Sequence, residues 1–295
     1  MVFPRFRVDE VNRATLVVDG LGGKAQNVAR VLTQLRARAV LLQFFGGPRG
    51  QWMAEQLRRQ RVRVEPIEVK AESRLCASIL DQSSGEITEL VEESGPSSPA
   101  EYKRLFSAYK SLLPQAKAVV LAGTLARGGP VDFYARCVAA ARKKGILTVV
   151  DAQGDPLACA LEERPDLVKP NRHELERSLG RALPNEEDIW AGIEDIRSKG
   201  AGSVVITDGA RVALAASPRG RWRITPPRVK AVNSVGSGDS FTAAMVVSLL
   251  RGEDFGVACR AGAASGAANA LQLMTGEIEL AAFQTLIKKV KVARL

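Results

Sequence analysis

The sequence predicts an α/β protein built on a parallel sheet, with a smaller antiparallel sheet standing outside it. From about residue 115, short β-rich runs alternate with helical patterns, the order that a parallel sheet covered by helices on both faces requires. Between residues 68 and 93 the pattern becomes a meander, two β-rich runs separated by a Ser83-Ser84-Gly85 turn. After Asp239 three helical patterns follow one another with no strand between them.

In chain order, Gly22-Gly23-Lys24 opens a helix through Leu35, Val40 to Phe45 is a strand and Gln51 to Gln60 a helix. Arg74–Asp81 and Ile87–Glu92 form the meander, which residues 5–19, loosely alternating, can join. Ser98 is suited to cap a helix whose first residue is Pro99, because a serine oxygen accepts from a free N–H and proline lacks one. Strands are expected at Ala118–Leu121, Leu147–Asp151, Asp166–Val168 and Ser203–Thr207, separated by helices at Val131–Lys144, Asp155–Glu162 and about Glu186–Lys199. The closing helices are Phe241–Arg251, Asp254–Leu271 and Ile278–Val290. The run Ala261 to Ala268 is made of small residues, which admit either another backbone or a flat ligand at close range. Ligands of parallel sheets sit beyond the carboxyl ends of the strands. Gly123, Asp151, Lys169, Asn171, Thr207 and Gly209 all fall just past such ends and are expected on one rim.

The 295 residues suffice for one large domain or two small ones, and 46% hydrophobic with 25% charged residues is ordinary for a packed protein. No apolar run reaches the roughly 18 to 20 residues that span a bilayer, and Met1-Val2-Phe3-Pro4-Arg5 is not a secretory signal, so a cytoplasmic location is expected. Four scattered cysteines and one histidine argue against a zinc site and a disulfide framework. They also leave a Ser-His-Asp triad only His173, which reads as a surface residue at a helix start. Net charge is +10 with 5% aromatics; the basic residues are spread out, which reads as a solvated surface, or as long-range attraction for anionic substrates, rather than a nucleic-acid face. Gly22-Gly23 is not G-x-G-x-x-G, and no Walker A sequence is present.

Asn233 to Ser240, reading NSVGSGDS, carries the most chemistry. Gly236, Ser237 and Gly238 can turn consecutive N–H groups to one point where a helix begins, and the helix dipole strengthens such an anion hole. Asp239 follows in the first turn. A carboxylate beside an anion hole suits phosphoryl transfer, one group taking a hydroxyl proton and the other absorbing charge on the phosphate. An ordinary helix entry with an acidic first turn is the competing reading.

Four motifs in a fixed order resemble the PfkB (ribokinase-like) carbohydrate kinases. They are Gly22-Gly23-Lys24-Ala25-Gln26-Asn27, Lys169-Pro170-Asn171-Arg172-His173-Glu174, Thr207-Asp208-Gly209, and Asn233 to Ser240. Glu10-Val11-Asn12-Arg13, Asn27 to Leu32 and Pro170 to Leu175 most resemble its phosphosugar branch, the kinases of fructose 1-phosphate, tagatose 6-phosphate and fructose 6-phosphate. The resemblance implies a single kinase domain over 1–295, a three-layer α/β/α fold with a mainly parallel sheet, and a β-sheet lid from about 5–20 and 68–94. It implies ATP and Mg²⁺, a ketohexose phosphate as acceptor, and a homodimer joined through the lid. Residue by residue, Asp239 is the implied base, and Gly236, Ser237 and Gly238 hold the transferring phosphoryl group. Gly22, Gly23, Lys24, Asn27, Arg74 and Thr124 serve the sugar phosphate. Lys169, Asn171, Thr207, Gly209, Ser234, Gly236, Gly238 and Asn269 serve the nucleotide, and Asn171 and Glu174 the magnesium.

The chain departs from the family pattern in several places. By the resemblance a strand carrying Asn-Pro-Ala-x-Asp precedes the segment that Phe3 to Arg7 matches, so the sheet is expected to lack its first strand and the sugar an aspartate. Ala25 and Val212 stand where glycine is usual. The alternative function is accordingly a catalytically impaired homologue that binds nucleotide or sugar in a regulatory role.

Overall fold

The computed structural model describes residues 1–295. Its elements are β1 (Val2–Phe3), α1 (Lys24–Gln34), β2 (Val40–Gly46), α2 (Gly47–Arg59), β3 (Arg63–Val69), β4 (Cys76–Asp81), β5 (Ile87–Val91), α3 (Pro99–Leu112), β6 (Ala118–Ala122), α4 (Phe133–Arg142), β7 (Leu147–Asp151) and α5 (Asp155–Glu162). There follow β8 (Leu167–Val168), α6 (Arg172–Leu179), α7 (Glu186–Ser198), β9 (Ser203–Ile206), β10 (Ala213–Ser217), β11 (Gly220–Thr225), α8 (Ser237–Leu250), α9 (Phe255–Ala270), α10 (Leu280–Ile287) and β12 (Lys291–Arg294).

The main sheet has the order β12-β11-β10-β9-β8-β7-β6. Strands β6 to β9 run parallel, and β10, β11 and β12 extend the sheet antiparallel. Side chains on a strand alternate between faces, and the core divides accordingly. Val150, Val168, Val204 and Ile206 pack with α3, α4, α5, α6 and α7, whereas Val149, Leu167 and Val205 pack with α1, α8, α9 and α10. The sheet thus lies between two helical layers, the expected α/β/α arrangement, although its sheet is mixed.

The small residues of α9 serve helix packing. A Cβ at Gly262 would fall 2.5 Å from the Phe241 ring of α8, and one at Gly266 would fall 2.9 Å from the Ser237 carbonyl oxygen. Ser98 caps α3 reciprocally with Glu101, and Pro99 is its first residue, as expected. The outlying sheet has the order β1-β4-β5, with β4 and β5 antiparallel and β1 parallel to β4. Residues 5–19 add only one bridge to it, Leu16 to Val2; Asp9 has φ 63° and Asn12 ties back to Arg7, so this stretch is a loop rather than a strand.

A third sheet consists of β2 and β3 alone. It faces β6 across a cleft of about 2830 Å³, lined by both β2 and β6, that also contains the rim residues. Neither β2 nor β6 has a second strand neighbour.

Candidate active site

Each rim residue is placed by the end of a strand. Asp151 is the last residue of β7, Lys169 follows β8, and Thr207 follows β9. Gly123 follows β6 with φ 100°, a left-handed conformation that glycine adopts without strain, and its N–H donates to the Asp151 carbonyl at 3.1 Å. On the helical side, Gly23 (φ 114°) caps α1 and Gly236 (φ 81°) caps α8. Both helices therefore point their N-termini at the same rim, and α1 packs against α8.

A chain of ionic contacts links these ends. Lys24 Nζ lies 2.5 Å from Asp151 Oδ1 and 2.7 Å from Glu174 Oε1. Lys169, itself buried, lies 3.1 Å from Asp151 Oδ2. A Cβ at Gly238 would fall 3.4 Å from Lys169 Nζ, so this ammonium sits beneath the start of α8. Burial opposes charge on Lys24, but Asp151 and Glu174 outweigh it and hold the ammonium above the usual lysine range. Burial likewise pushes Asp151 up, yet Lys169 and Lys24 prevail and hold its carboxyl below the ordinary value.

Asp239 has the opposite character. Burial, reinforced by the Asp151 charge, pushes its carboxyl up to about 7, against the Asn27 hydrogen bond and the two lysines. Asn27 Nδ2 donates to Asp239 Oδ2 at 2.7 Å. Thr275 Oγ1 lies 3.1 Å from Asn27 Oδ1 and 3.2 Å from the Leu21 carbonyl, and so ties Asn27 to the segment just before α1. Two buried carboxylates driven apart in acidity are the arrangement expected where one acts as an acid or base near neutral pH.

Of the three predicted hole amides, Gly236 and Gly238 have no acceptor within the protein, while Ser237 N–H donates to the Ser234 carbonyl at 3.2 Å. Asn269 departs from its predicted place on the adenine side. It is fully buried, its amide donates to the Val235 carbonyl at 2.9 Å, and its oxygen accepts from Ser240 and from the Gly276 N–H. With both ends engaged it holds the 233–238 loop in shape.

Asn171 caps α6: its oxygen accepts from Glu174 N–H at 2.8 Å, while Glu174 returns a bond to Asn171 N–H at 2.9 Å. The capping box orients Glu174, and the second carboxylate converging with it on one cationic position is Asp151. Asp151 stands on the expected rim but in none of the four motifs. The cationic position is filled by the Lys24 ammonium, and Lys169 takes the other Asp151 oxygen, so a magnesium ion reached by Glu174 would lie beside Lys24 and keep much of its own water.

Thr207, Gly209, Ser234, Thr124, Arg74, Gly22 and Gly23 line the same cleft. Arg74 lies just ahead of β4, exposed and without an ionic partner, rather than within the strand. His173 is exposed beside Glu176, as expected of a surface residue. Gln26, in the first motif, is buried in the cleft wall with its side-chain oxygen unpartnered.

The profile of the pfkB family carbohydrate kinases matches residues 3–280. The chain belongs to this family, and it is a carbohydrate kinase. It is 29% identical over 291 residues to the tagatose-6-phosphate kinase of Staphylococcus epidermidis, covering 98% of this chain and 93% of that one. Phosphofructokinase-2 from Escherichia coli, solved in complex with potassium, superposes with a TM-score of 0.86 at 27% identity, covering 98% and 94%. A possible 1-phosphofructokinase from Thermotoga maritima superposes with a TM-score of 0.90 at 23% identity, covering 100% and 95%, and so supports the ribokinase-like fold alone. No helix is long and apolar enough to cross a membrane.

Proposed function

We propose that this kinase transfers the γ-phosphoryl group of ATP to a hydroxyl of a ketohexose phosphate, with Asp239 as the base. The supporting observation is the juxtaposition of a buried carboxylate, raised to about 7, with the two free amides at the start of α8. Asp239 takes the acceptor's proton as the hydroxyl attacks in line. The Gly236 and Gly238 N–H groups and the positive end of α8 face the charge that collects on the transferring group. Lys169 adds a fixed positive charge below them. Glu174, oriented by the Asn171 capping box, would hold the magnesium, which would supply charge neutralisation on the phosphates, while Lys24 is the counter-charge of Asp151 and Glu174. Thr207, Gly209 and Ser234 serve the nucleotide; Gly22, Gly23, Asn27 and Thr124 serve the sugar.

A phosphorylated acceptor accords with unpaired Arg74 at the cleft and with the named activities of the relatives. A guanidinium fork matches phosphate oxygens two at a time. ATP consumption with fructose 1-phosphate, tagatose 6-phosphate, fructose 6-phosphate and the parent sugars tests the assignment. Turnover with at least one phosphate ester and little with the free sugars is expected. Preference for a free sugar refutes the acceptor class, and nucleotide binding without turnover on any acceptor supports the regulatory alternative.

The β1-β4-β5 sheet is read as a lid over the cleft. Val8, Val11, Val17, Leu75 and Leu90 in and around it are each more than half exposed, which accords with a homodimer joined at this face.

A further inference from the structure

The chain passes out to the β1-β4-β5 sheet through residues 70–75, between β3 and β4, and returns through residues 92–98, between β5 and α3. The two connections lie side by side over the start of α2. A Cβ at Gly95 would fall 2.9 Å from Ala71 Cβ, and one at Gly46 would fall 1.8 Å from the Ala71 carbonyl oxygen. Glycine at both positions is what lets the backbones come so close.

Within the outgoing connection every residue but one is tied down. Lys70 N–H donates to Glu101 Oε1 at 2.9 Å, and Ala71 is wedged between Gly46 and Gly95. Ser73 N–H donates to the Gly46 carbonyl at 2.9 Å, and Ser73 Oγ accepts from Gly46 N–H at 3.1 Å. Leu75 N–H donates to Glu92 Oε2 at 2.7 Å, and its carbonyl accepts from Glu92 N–H at 3.0 Å. Arg74 stands between these two anchors and makes no hydrogen bond within the protein, through backbone or guanidinium. Its position is thus set from both sides while its side chain stays free at the cleft.

One side chain joins the two connections. Arg49, half-buried in the first turn of α2, donates through Nη1 to Glu92 Oε2 at 2.6 Å and through Nε to Glu72 Oε1 at 3.2 Å. Glu72 belongs to the outgoing connection and Glu92 to the returning one, so Arg49 grips both, one on each side of Arg74. The Leu75 N–H and then Arg49 hold the Glu92 carboxyl below the usual carboxylate range. The planar guanidinium offers donors in two fixed directions, which a lysine ammonium does not. A cation in the first turn is also opposed by the dipole of its own helix, so the stability of α2 does not account for an arginine here.

We infer that Arg49 is a positioning residue for phosphosugar binding: by tying Glu72 and Glu92 it holds Arg74 at the cleft in the posture that receives the acceptor's phosphate. A group held ready loses less freedom when its ligand arrives, so the clamp raises affinity without touching the sugar. The inference rests on the reading of Arg74 as the phosphate contact and adds to it the residues that aim it.

Initial rates of Arg49→Ala, Arg74→Ala and the double variant, with whichever of fructose 1-phosphate, tagatose 6-phosphate and fructose 6-phosphate the parent turns over best, test it. Arg49→Ala is expected to raise the phosphosugar KM about threefold to fivefold, the reach of an ion pair that water still touches, with kcat and the ATP KM as in the parent. Added to Arg74→Ala, it is expected to change nothing further. An unchanged phosphosugar KM in Arg49→Ala overturns the inference, and so does a parallel fall in kcat, which a general loosening of the fold would give. A double variant whose KM rises by the product of the two single effects also overturns it, because Arg49 would then act independently of Arg74. Glu92→Gln keeps an acceptor for the Leu75 N–H but loses the charge facing Arg49. It is expected to raise the phosphosugar KM as well, and a parental value there would overturn the grip on both connections. The two readings fail differently. A parental KM in Arg74→Ala removes the phosphate contact and the clamp together, whereas a raised KM in Arg74→Ala beside a parental one in Arg49→Ala removes the clamp alone.

Discussion

At Asp239, the energetic consequences of the site can be read from one carboxyl group. Its ordinary value is 3.8 and burial raises it to about 7. The folded state therefore binds more protons than the unfolded chain between those values, and the group's contribution to stability falls as pH rises through that window. Asp239→Asn is accordingly expected to melt above the parent at pH 8 and to lose most of that advantage at pH 5, as thermal scans at the two pH values would show. The same shift predicts a parental kcat/KM that climbs through about pH 7 as the base loses its proton. Arg74 makes a separate contribution. Its guanidinium has no ionic partner at the cleft, so Arg74→Ala should raise KM for a phosphosugar about tenfold or more, with kcat and the ATP KM little changed. Initial-rate measurements that found an unchanged phosphosugar KM would remove Arg74 from the phosphate site.

Among the elements, the α8–α9 contact carries the site loop. Gly266 lies under the Ser237 carbonyl, and a Cβ there would meet it at 2.9 Å. Overpacking of this kind usually costs about 1 to 3 kcal/mol, so Gly266→Ala should lower the thermal midpoint by several degrees and reduce kcat by displacing the hole amides. A melt and a rate assay identical to the parent's would refute this linkage.

Strands and helices whose local pattern matched their environment were legible: α5 and β7 occupy their expected residues. What was missed lacks a local pattern. Strand β10, Ala213-Leu-Ala-Ala-Ser, is buried throughout and has neither alternation nor bulk. Strand β3 contains Pro66, tolerable because β3 is an edge strand. Strand β12 is four residues long, and its pairing with β11 is a long-range contact. In the site, Asp239, Lys24, Lys169 and Glu174 stood in motifs, whereas Asp151 and Thr275 owe their roles to partners 127 and 248 residues away. Asn269 shows the converse: its type and position suggested a ligand contact, and the fold spends both ends of its amide internally.

For the molecule as a whole, the proposed assembly surface is the β1-β4-β5 sheet. Its exposed apolar side chains predict a dimer at micromolar concentration, and Leu90→Lys should shift the sedimentation coefficient toward the monomer while leaving the fold intact. An unchanged coefficient would place the dimer contact elsewhere, and a monomeric parent would remove it. In the proposed mechanism the buried carboxylate and the α8 anion hole form one phosphoryl-transfer centre. Transfer from γ-labelled ATP to the preferred ketohexose phosphate, measured for the parent and for Asp239→Asn together with the ATP Kd of each, tests it most directly. Loss of a general base costs roughly 10² to 10⁴ in rate, so a labelled bisphosphate is expected from the parent and a fall in kcat of that order in the variant, with the ATP Kd unchanged. An Asp239→Asn enzyme that keeps more than about a tenth of the parental kcat, against that expected loss, would contradict it.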